Sequence, residues 1–316
     1  MQSEKIGGGT LMRLGEGSPM RIETIDLHFQ GTSHVIAAFL VLGPDGPVLI
    51  ETGPESTLPA LLEGLERHDV APADVRDVLV THIHLDHAGA AGWWAQQGSR
   101  VHVHPVGAPH LVDPSKLLGS AGRIYGERMA TLWGTVRPAP VERVIAVEDG
   151  AVLEVGGLRI TALDTPGHAY HHHVYLLDDV AFTGDAAGIL LPGNRWIDLP
   201  APPPEFHLER WRATLARLRE CAPSTLYRTH FGASQDVEKE LVEFEEVMEQ
   251  GVAWIDEMRV AGLDRAAMAA EFTGRMRARA LGSGSVEDDL RAYELANPRI
   301  MSVDGIARYL RKRNEG

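Results

Sequence analysis

The sequence predicts an α/β (α+β) fold: two strand-rich halves with helices outside them, a four-layer αββα sandwich. Short strand patterns fill residues 22–51 and again 144–183, each punctuated by turn residues. Helical periodicity separates and follows them, and several strand patterns run straight into histidine or aspartate. Periodicity alone does not select the sandwich; the motifs at the strand ends do.

Residues 1–20 read as a loose lead-in, punctuated by Gly7, Gly8, Gly9, Gly15, Gly17 and Pro19. Ile22–Phe29 alternates as a half-buried strand does. Val35–Leu42 is a continuous apolar run, and Val48–Glu51 follows the turn Gly43-Pro44-Asp45-Gly46. Leu58, Leu61, Leu62 and Leu65 recur at helical spacing over Ser56–Arg67, and Pro72 and Asp74 break that pattern. Val75–Thr81 reads as a short buried strand feeding His82. A small-residue helix over Ala88–Gln97 and a strand over Val101–His104 come next.

Prolines 105, 109, 114, 138 and 140 bracket a mixed helical stretch, read as an insertion or lid over about 105–140. The second half holds strand patterns at Val144–Val147, Ala151–Val155, Leu158–Leu163, Val174–Leu177 and Val180–Thr183. A helix over Glu205–Glu220 presents Leu208, Trp211, Leu215 and Leu218 on one face, and the strand Thr225–Thr229 ends at His230. From Asp236 the pattern is helical, with Val237, Leu241, Phe244 and Met248 in one stripe. Gly282-Ser283-Gly284-Ser285 reads as a loop and residues 302–313 as a short basic helix, solvated at Arg308, Arg311, Lys312 and Arg313. The expected division is therefore a lead-in over 1–20, a main domain over 21–235 and a helical C-terminal region over 236–316.

The formal net charge of −14 disfavours nucleic acid and anionic lipid as partners. One cysteine, Cys221, excludes an intramolecular disulfide and a thiolate metal site, and suits a reducing compartment. It reads as a small core residue. No signal-peptide pattern stands at the N-terminus, and the longest apolar run, eight residues, is too short to span a bilayer. A soluble cytoplasmic protein acting on a small molecule is expected, without membrane attachment. Symmetric dimers being common, a homodimer is the expected assembly.

The chemistry concentrates in His82-Ile83-His84-Leu85-Asp86-His87, four metal-competent side chains within six residues. His82 and His84, two apart at a strand end, point the same way. Asp86 and His87 follow where the chain must turn, and Gly89 and Gly92 keep bulk away from that turn. Imidazoles with a carboxylate and no thiolate suit zinc, iron or manganese rather than calcium or magnesium. A solvated histidine-rich turn is the competing reading for two histidines, but not for this cluster directly after a buried strand.

With Thr165-Pro166-Gly167-His168, Phe182-Thr183-Gly184-Asp185 and Thr229-His230-Phe231-Gly232, the order of motifs resembles the metallo-β-lactamase superfamily, in its glyoxalase II-like branch. The resemblance runs from about Ile22 to His230 and implies the αββα sandwich. It implies that His82, His84 and His168 hold one metal, Asp86, His87 and His230 a second, and that Asp185 bridges them. Two divalent ions, zinc first and iron or manganese otherwise, would then share a bridging hydroxide. Two cations about 3.5–4 Å apart lower the pKa of a shared water from about 15.7 towards about 7 and polarise the substrate oxygen. Asp86, besides binding metal, is the catalytic candidate for orienting that water and carrying a proton to the leaving group. The family's Asp-Thr-Gly turn is Glu51-Thr52-Gly53 here, which puts the fine geometry around the ligands in question.

Tyr125 and Arg128 in the insertion, His172 after the T-P-G-H turn and His34 in an early loop are the candidate substrate contacts. His171 and His173 read as ordinary strand-start residues. His102 and His104 read as core or surface histidines without a nearby carboxylate, though His104 or His110 has a minor claim on the pocket. The resemblance favours hydrolysis of an ester or thioester. A lactonase, or a phosphodiesterase or phosphotriesterase, would use the same machinery, and a persulfide dioxygenase with one iron is the redox alternative. RNA processing is disfavoured by the charge, and antibiotic hydrolysis by the ligand set and the expected location.

Overall fold

Two β-sheets lie face to face in the computed structural model, which describes residues 4–6, 9–13 and 19–315. The first sheet contains, in chain order, β1 (Glu4–Ile6), β2 (Gly9–Arg13), β3 (Pro19–Asp26), β4 (Ala37–Gly43), β5 (Gly46–Ile50), β6 (Asp77–Leu79), β7 (Arg100–Val103) and β8 (Val144–Ala146). Strands β1 to β5 pair antiparallel, as short turns permit. From β5 to β8 the pairing is parallel, so each step needs a crossover. Helix α1 (Leu58–Glu66) supplies the first, α2 (Leu85–Ala88) and α3 (Ala91–Gln96) the second. The insertion supplies the third, with α4 (Ala108–Val112), α5 (Ser115–Tyr125) and α6 (Met129–Trp133).

The second sheet contains β9 (Val152–Val155), β10 (Leu158–Asp164), β11 (His173–Leu177), β12 (Val180–Gly184), β13 (Thr225–Arg228) and β14 (Gly232–Ser234). Its one parallel pair, β12 with β13, is joined through α7 (Leu208–Cys221). Four helices close the chain: α8 (Val237–Val260), α9 (Arg265–Gly282), α10 (Glu287–Ala296) and α11 (Arg299–Glu315).

The apolar run of β4 is continuous because both of its faces are covered. Ala37, Phe39 and Val41 point between the sheets, while Ala38 and Leu40 point to the helices outside. On β12, Val180 and Phe182 face inward and Ala181 faces the outer helices. The stripe from Leu241 to Met248 packs on that outer layer with Trp211 and Leu215, which completes the αββα order.

Several expectations change. The described part of residues 1–20 holds β1 and β2, which extend the first sheet, so it is not simply a loose lead-in; the strand expected over Ile22–Phe29 starts at Pro19 and ends at Asp26. β14 was not foreseen, since three small residues carry no alternation. The basic C-terminal helix is longer than expected and is preceded by α10. Cys221 is exposed at the end of α7 rather than in the core. Among the described residues no helix is long and apolar enough to cross a membrane.

Phe39 joins the two sheets directly: its ring centre lies 5.5 Å from that of Phe182 and 5.4 Å from that of Tyr227. Truncating it with Phe39→Ala removes contacts on both sheets and should cost about 3–5 kcal/mol. Urea unfolding measures this, and a loss below about 1 kcal/mol would be too small for a residue that bridges the core.

Candidate metal centre

The candidate ligands follow the C-terminal ends of four strands. His82 and His84 follow β6, His168 follows β10, Asp185 follows β12 and His230 follows β13. Asp86 and His87 lie in α2, one short turn beyond β6. That turn is held against the Glu51-Thr52-Gly53 segment: Thr52 N and Oγ1 each donate to the His87 carbonyl at 2.9 Å, and Gly53 N at 3.1 Å. Gly89 makes the approach feasible, because a Cβ there would sit 2.3 Å from the Leu85 carbonyl oxygen and 2.9 Å from Pro54 Cα. The two sheets are also laced together at this edge. His173 N donates to the Thr81 carbonyl at 2.7 Å, and Ala37 N to the Thr229 carbonyl at 2.8 Å.

The side chains form two adjoining groups. His82 Nε2 and His168 Nε2 each lie 2.9 Å from His84 Nδ1. Asp86 Oδ2 lies 3.7 Å from His87 Nε2 and 3.4 Å from His230 Nε2. Asp185 stands between the groups. Its Oδ2 is 3.3 Å from His168 Nε2, while its Oδ1 is 3.4 Å from His87 Nε2 and 3.6 Å from His230 Nε2. One carboxylate thus turns one oxygen to each group.

The surroundings set which ring nitrogen is free. His168 Nδ1 donates to the Pro200 carbonyl at 2.8 Å and His230 Nδ1 to the Val35 carbonyl at 2.7 Å. Carbonyls only accept, so both rings carry their hydrogen on Nδ1 and offer the Nε2 lone pair to the site. Glu51 does the same for two more. It is fully buried, with a left-handed backbone at φ 66°. Its Oε1 takes His87 Nδ1 at 3.2 Å and the hydroxyls of Thr81 and Thr229, and its Oε2 takes Thr81 N at 3.4 Å. Because the Thr81 hydroxyl spends its hydrogen on Glu51, its oxygen must accept from His82 Nδ1, 3.1 Å away. Four rings therefore present Nε2, and only His84 presents Nδ1.

These donors fit a metal. His87 Nε2, His230 Nε2 and Asp185 Oδ1 are buried without a hydrogen-bond partner, a costly state that a cation relieves. His84 has one Nδ1 hydrogen to offer at most and two ring nitrogens at 2.9 Å, whereas a cation satisfies all three. Three overlapping sets have ligand atoms within 4.8 Å of one another: His82, His84 and His168; His82, His87 and Asp185; Asp86, His87 and His230.

The two groups differ electrostatically. Burial and the neighbouring imidazoles push His82 well below the usual histidine range, and burial holds His168 at about 4. Burial also opposes charge on His87, but Asp86, Asp185 and Glu51 overcome it and raise that imidazole well above its usual range. Burial would raise Asp185, yet the imidazoles of His168, His87 and His230 hold it well below the usual carboxylate range. Asp86, pushed up by burial but pulled down by His87 and His230, stays at about 2. The second group thus keeps its carboxylates ionised beside His87, and a bound cation would stand where the imidazole proton now pairs with them.

A cavity of about 270 Å³ opens onto His84, Asp86, His168 and Asp185. The insertion provides one wall through Leu117, Ala121, Ile124, Tyr125 and Trp133. Pro200 and Pro202–Pro204 provide another, with Pro298 and Met301 from the C-terminal region. Of the candidate substrate contacts only Tyr125 lines it, its ring 5.1 Å from Trp133. Arg128 is exposed and lies outside the wall, because the turn after α5 points it to solvent. His34 is also outside; its side chain is 58% exposed, 3.9 Å from Asp26, with its ring against Phe231. His172 is buried behind the site, where its Nδ1 contacts the Thr165 hydroxyl at 2.8 Å and its Nε2 accepts from Asp185 N at 3.2 Å. It holds the Asp185 backbone rather than facing the cavity.

His110 and Lys116 do reach the cavity wall, and so does His171, unforeseen as anything but a strand-start residue. His171 Nε2 lies 3.3 Å from Glu205, another wall residue, expected only as the start of a helix that in fact begins at Leu208. His102 and His104 have carboxylate partners after all: Asp77 at 2.8 Å and Asp164 at 3.2 Å, brought close only by the folded strands.

Glu51→Gln tests the carboxylate. The amide nitrogen would face a donor that Glu51 now receives, so His87 and Thr81 lose their common anchor. The expected result is folded protein with metal affinity down about 10- to 100-fold, read by chelator competition. Unchanged affinity would remove Glu51 from the centre's support.

The metallo-beta-lactamase superfamily model matches residues 31–230. The chain is 28% identical over 202 residues to the metallo-beta-lactamase fold-containing protein ST1585 of Sulfurisphaera tokodaii, covering 63% of this chain and 73% of that one. The crystal structure of ST1585 superposes with a TM-score of 0.59 at 25% identity, over 73% of this chain and 86% of that one. The metallo-beta-lactamase family protein TTHA1429 of Thermus thermophilus shares the fold more completely, with a TM-score of 0.65 at 22% identity over 93% and 94% of the two chains. A shorter match, 31% over 108 residues, joins the chain to hydroxyacylglutathione hydrolase of Shewanella halifaxensis, spanning 34% of this chain and 32% of that enzyme. With the fold and the clustered histidines and aspartates, the family match over residues 31–230 places the chain in the metallo-beta-lactamase superfamily, as one of its hydrolases.

Proposed function

We propose that this chain hydrolyses an ester or thioester of a small, largely apolar acid, using a dinuclear centre of divalent metal. The observation that carries this is Asp185, whose two oxygens face two separate groups of ring nitrogens. His82, His84 and His168 would hold one ion and Asp86, His87 and His230 the other. Zinc suits this donor set best, with iron and manganese next. When bound, such ions supply an activated water and a Lewis acid for the substrate oxygen.

The chain's own residues do the rest. Asp86 is a carboxylate at neutral pH and lies on the cavity wall, so it can orient the attacking water and pass a proton to the leaving group. Burial and the Asp86 charge push the Tyr125 phenol above its usual range, so it stays a hydrogen-bond donor towards a substrate oxygen. Leu117, Ala121, Ile124, Trp133 and Met301 receive the apolar part of the substrate and exclude water from the reacting carbonyl. Among the described residues Lys116 is the wall's only lysine or arginine, which suits an acyl group better than a phosphodiester backbone. The similarity to a hydroxyacylglutathione hydrolase supports the thioester arm of this reading.

A panel of acyl thioesters, aryl esters, a lactone and a phosphodiester, run with metal-loaded and chelator-treated protein, tests the proposal. Thioester or ester turnover that chelation abolishes is the expected result. A preference for the phosphodiester would reassign the substrate class, and oxygen uptake on a persulfide with one bound iron would replace the hydrolytic reading. Tyr125→Phe should lower kcat/KM on the best substrate by about tenfold, the scale of one lost hydrogen bond, and leave metal content alone. Unchanged kinetics would remove Tyr125 from the substrate site.

A further inference from the structure

Residues 196–204 run from a short bridge, in which Asp198 and Ile189 exchange backbone hydrogen bonds, to the prolines that line the cavity. Pro200, Pro202, Pro203 and Pro204 have no N–H to donate, so this segment must be held from outside. The C-terminal helices hold it. In α11, Ser302 Oγ donates to the Leu199 carbonyl at 2.7 Å and accepts from Ala201 N at 3.2 Å. Asn297 Nδ2 donates to the same Leu199 carbonyl at 2.9 Å and to Asp198 Oδ2 at 3.1 Å. Arg299 pairs with Asp198 in the interior, and its guanidinium lies 4.9 Å from the Trp196 ring centre. The backbone of α11 touches the segment at Gly305, where a Cβ would stand 2.0 Å from the Ala201 carbonyl oxygen.

Both neighbours of Pro200 are therefore gripped, and the Pro200 carbonyl is the acceptor that fixes His168 Nδ1. We infer that the C-terminal helical region is a positioning element of the metal centre: Ser302, Asn297 and Arg299 hold the Pro200 carbonyl, and through it the His168 ring. The inference rests on the reading of His168 as a metal ligand. It gives residues 236–316 a role at the metal end of the cavity as well as in its wall. Loss of the clamp frees the His168 ring to rotate and leaves its Nε2 poorly aimed, while the sandwich itself is untouched.

Cobalt-substituted protein provides a readout independent of turnover, since its visible spectrum reports ligand geometry. Ser302→Ala should weaken binding of one of the metal equivalents about tenfold in chelator competition, change that spectrum, and lower kcat more than it changes KM. Asn297→Leu, nearly the same shape, repeats the measurement from the other side of the segment if Ser302→Ala does not fold. His168→Ala is the reference. If it leaves tight binding of every equivalent intact, the ligand reading itself fails. If it removes one and both clamp variants keep wild-type affinity and spectrum, the positioning inference fails while the ligand reading stands. Met276→Ala in α9 loosens the C-terminal core without removing any side-chain hydrogen bond to the segment. It should lower Tm and spare the spectrum; a spectral change equal to that of Ser302→Ala would reduce the clamp to general packing and overturn the inference.

Discussion

A carboxylate buried between the strand ends of the two sheets has no water to solvate it and must take its hydrogen bonds from the protein. Glu51 is that carboxylate. It sits where β5 ends and receives groups from just beyond β6 (Thr81), from α2 (His87) and from just beyond β13 (Thr229). Those donors come from both sheets, so satisfying Glu51 fixes the sheets relative to one another at their functional edge. The same bonds dictate where the hydrogens sit on His82 and His87. One buried group thus links the packing of the fold to the chemistry of the site. The glutamate at this turn is accommodated by its left-handed backbone and reaches every one of these partners.

The rest of the site follows from strand ends. A strand held on both faces cannot shift along its register without moving its whole apolar set, so residues just past its end are well placed. His82, His168, Asp185 and His230 all occupy such positions. Other parts of the molecule surround them. The insertion between β7 and β8 and the C-terminal helices meet across the cavity, and the proline segment lies between them. In the proposed function the strand ends supply the chemistry and these walls the substrate contacts, in keeping with one fold carrying many activities.

The sandwich and the seven candidate ligands were legible in the sequence because each rests on a local signal. Continuous apolar runs marked strands covered on both faces, and the histidine and aspartate motifs stood directly after them. What was not legible depended on contacts distant in the chain. Asp77 beside His102 and Asp164 beside His104 are neighbours only once the strands pair. His172 resembled a pocket residue by position, but its ring turns behind Asp185. Arg128 follows α5 closely enough to suggest a lid contact, yet the turn there directs it outward. Glu205 was legible only as the start of a helix, not as the wall partner of His171, and the proline segment carried no periodic pattern; its importance comes from what the C-terminal helices do to it.

In the proposed centre Asp185 belongs to two metal sites at once. Metal equivalents per chain, measured on protein purified without added metal for the wild type and for Asp185→Ala, test it most directly. About two equivalents are expected in the wild type, with a loss at both sites in the variant. A variant that keeps the full wild-type content, or a wild type that never holds more than one equivalent, would contradict it.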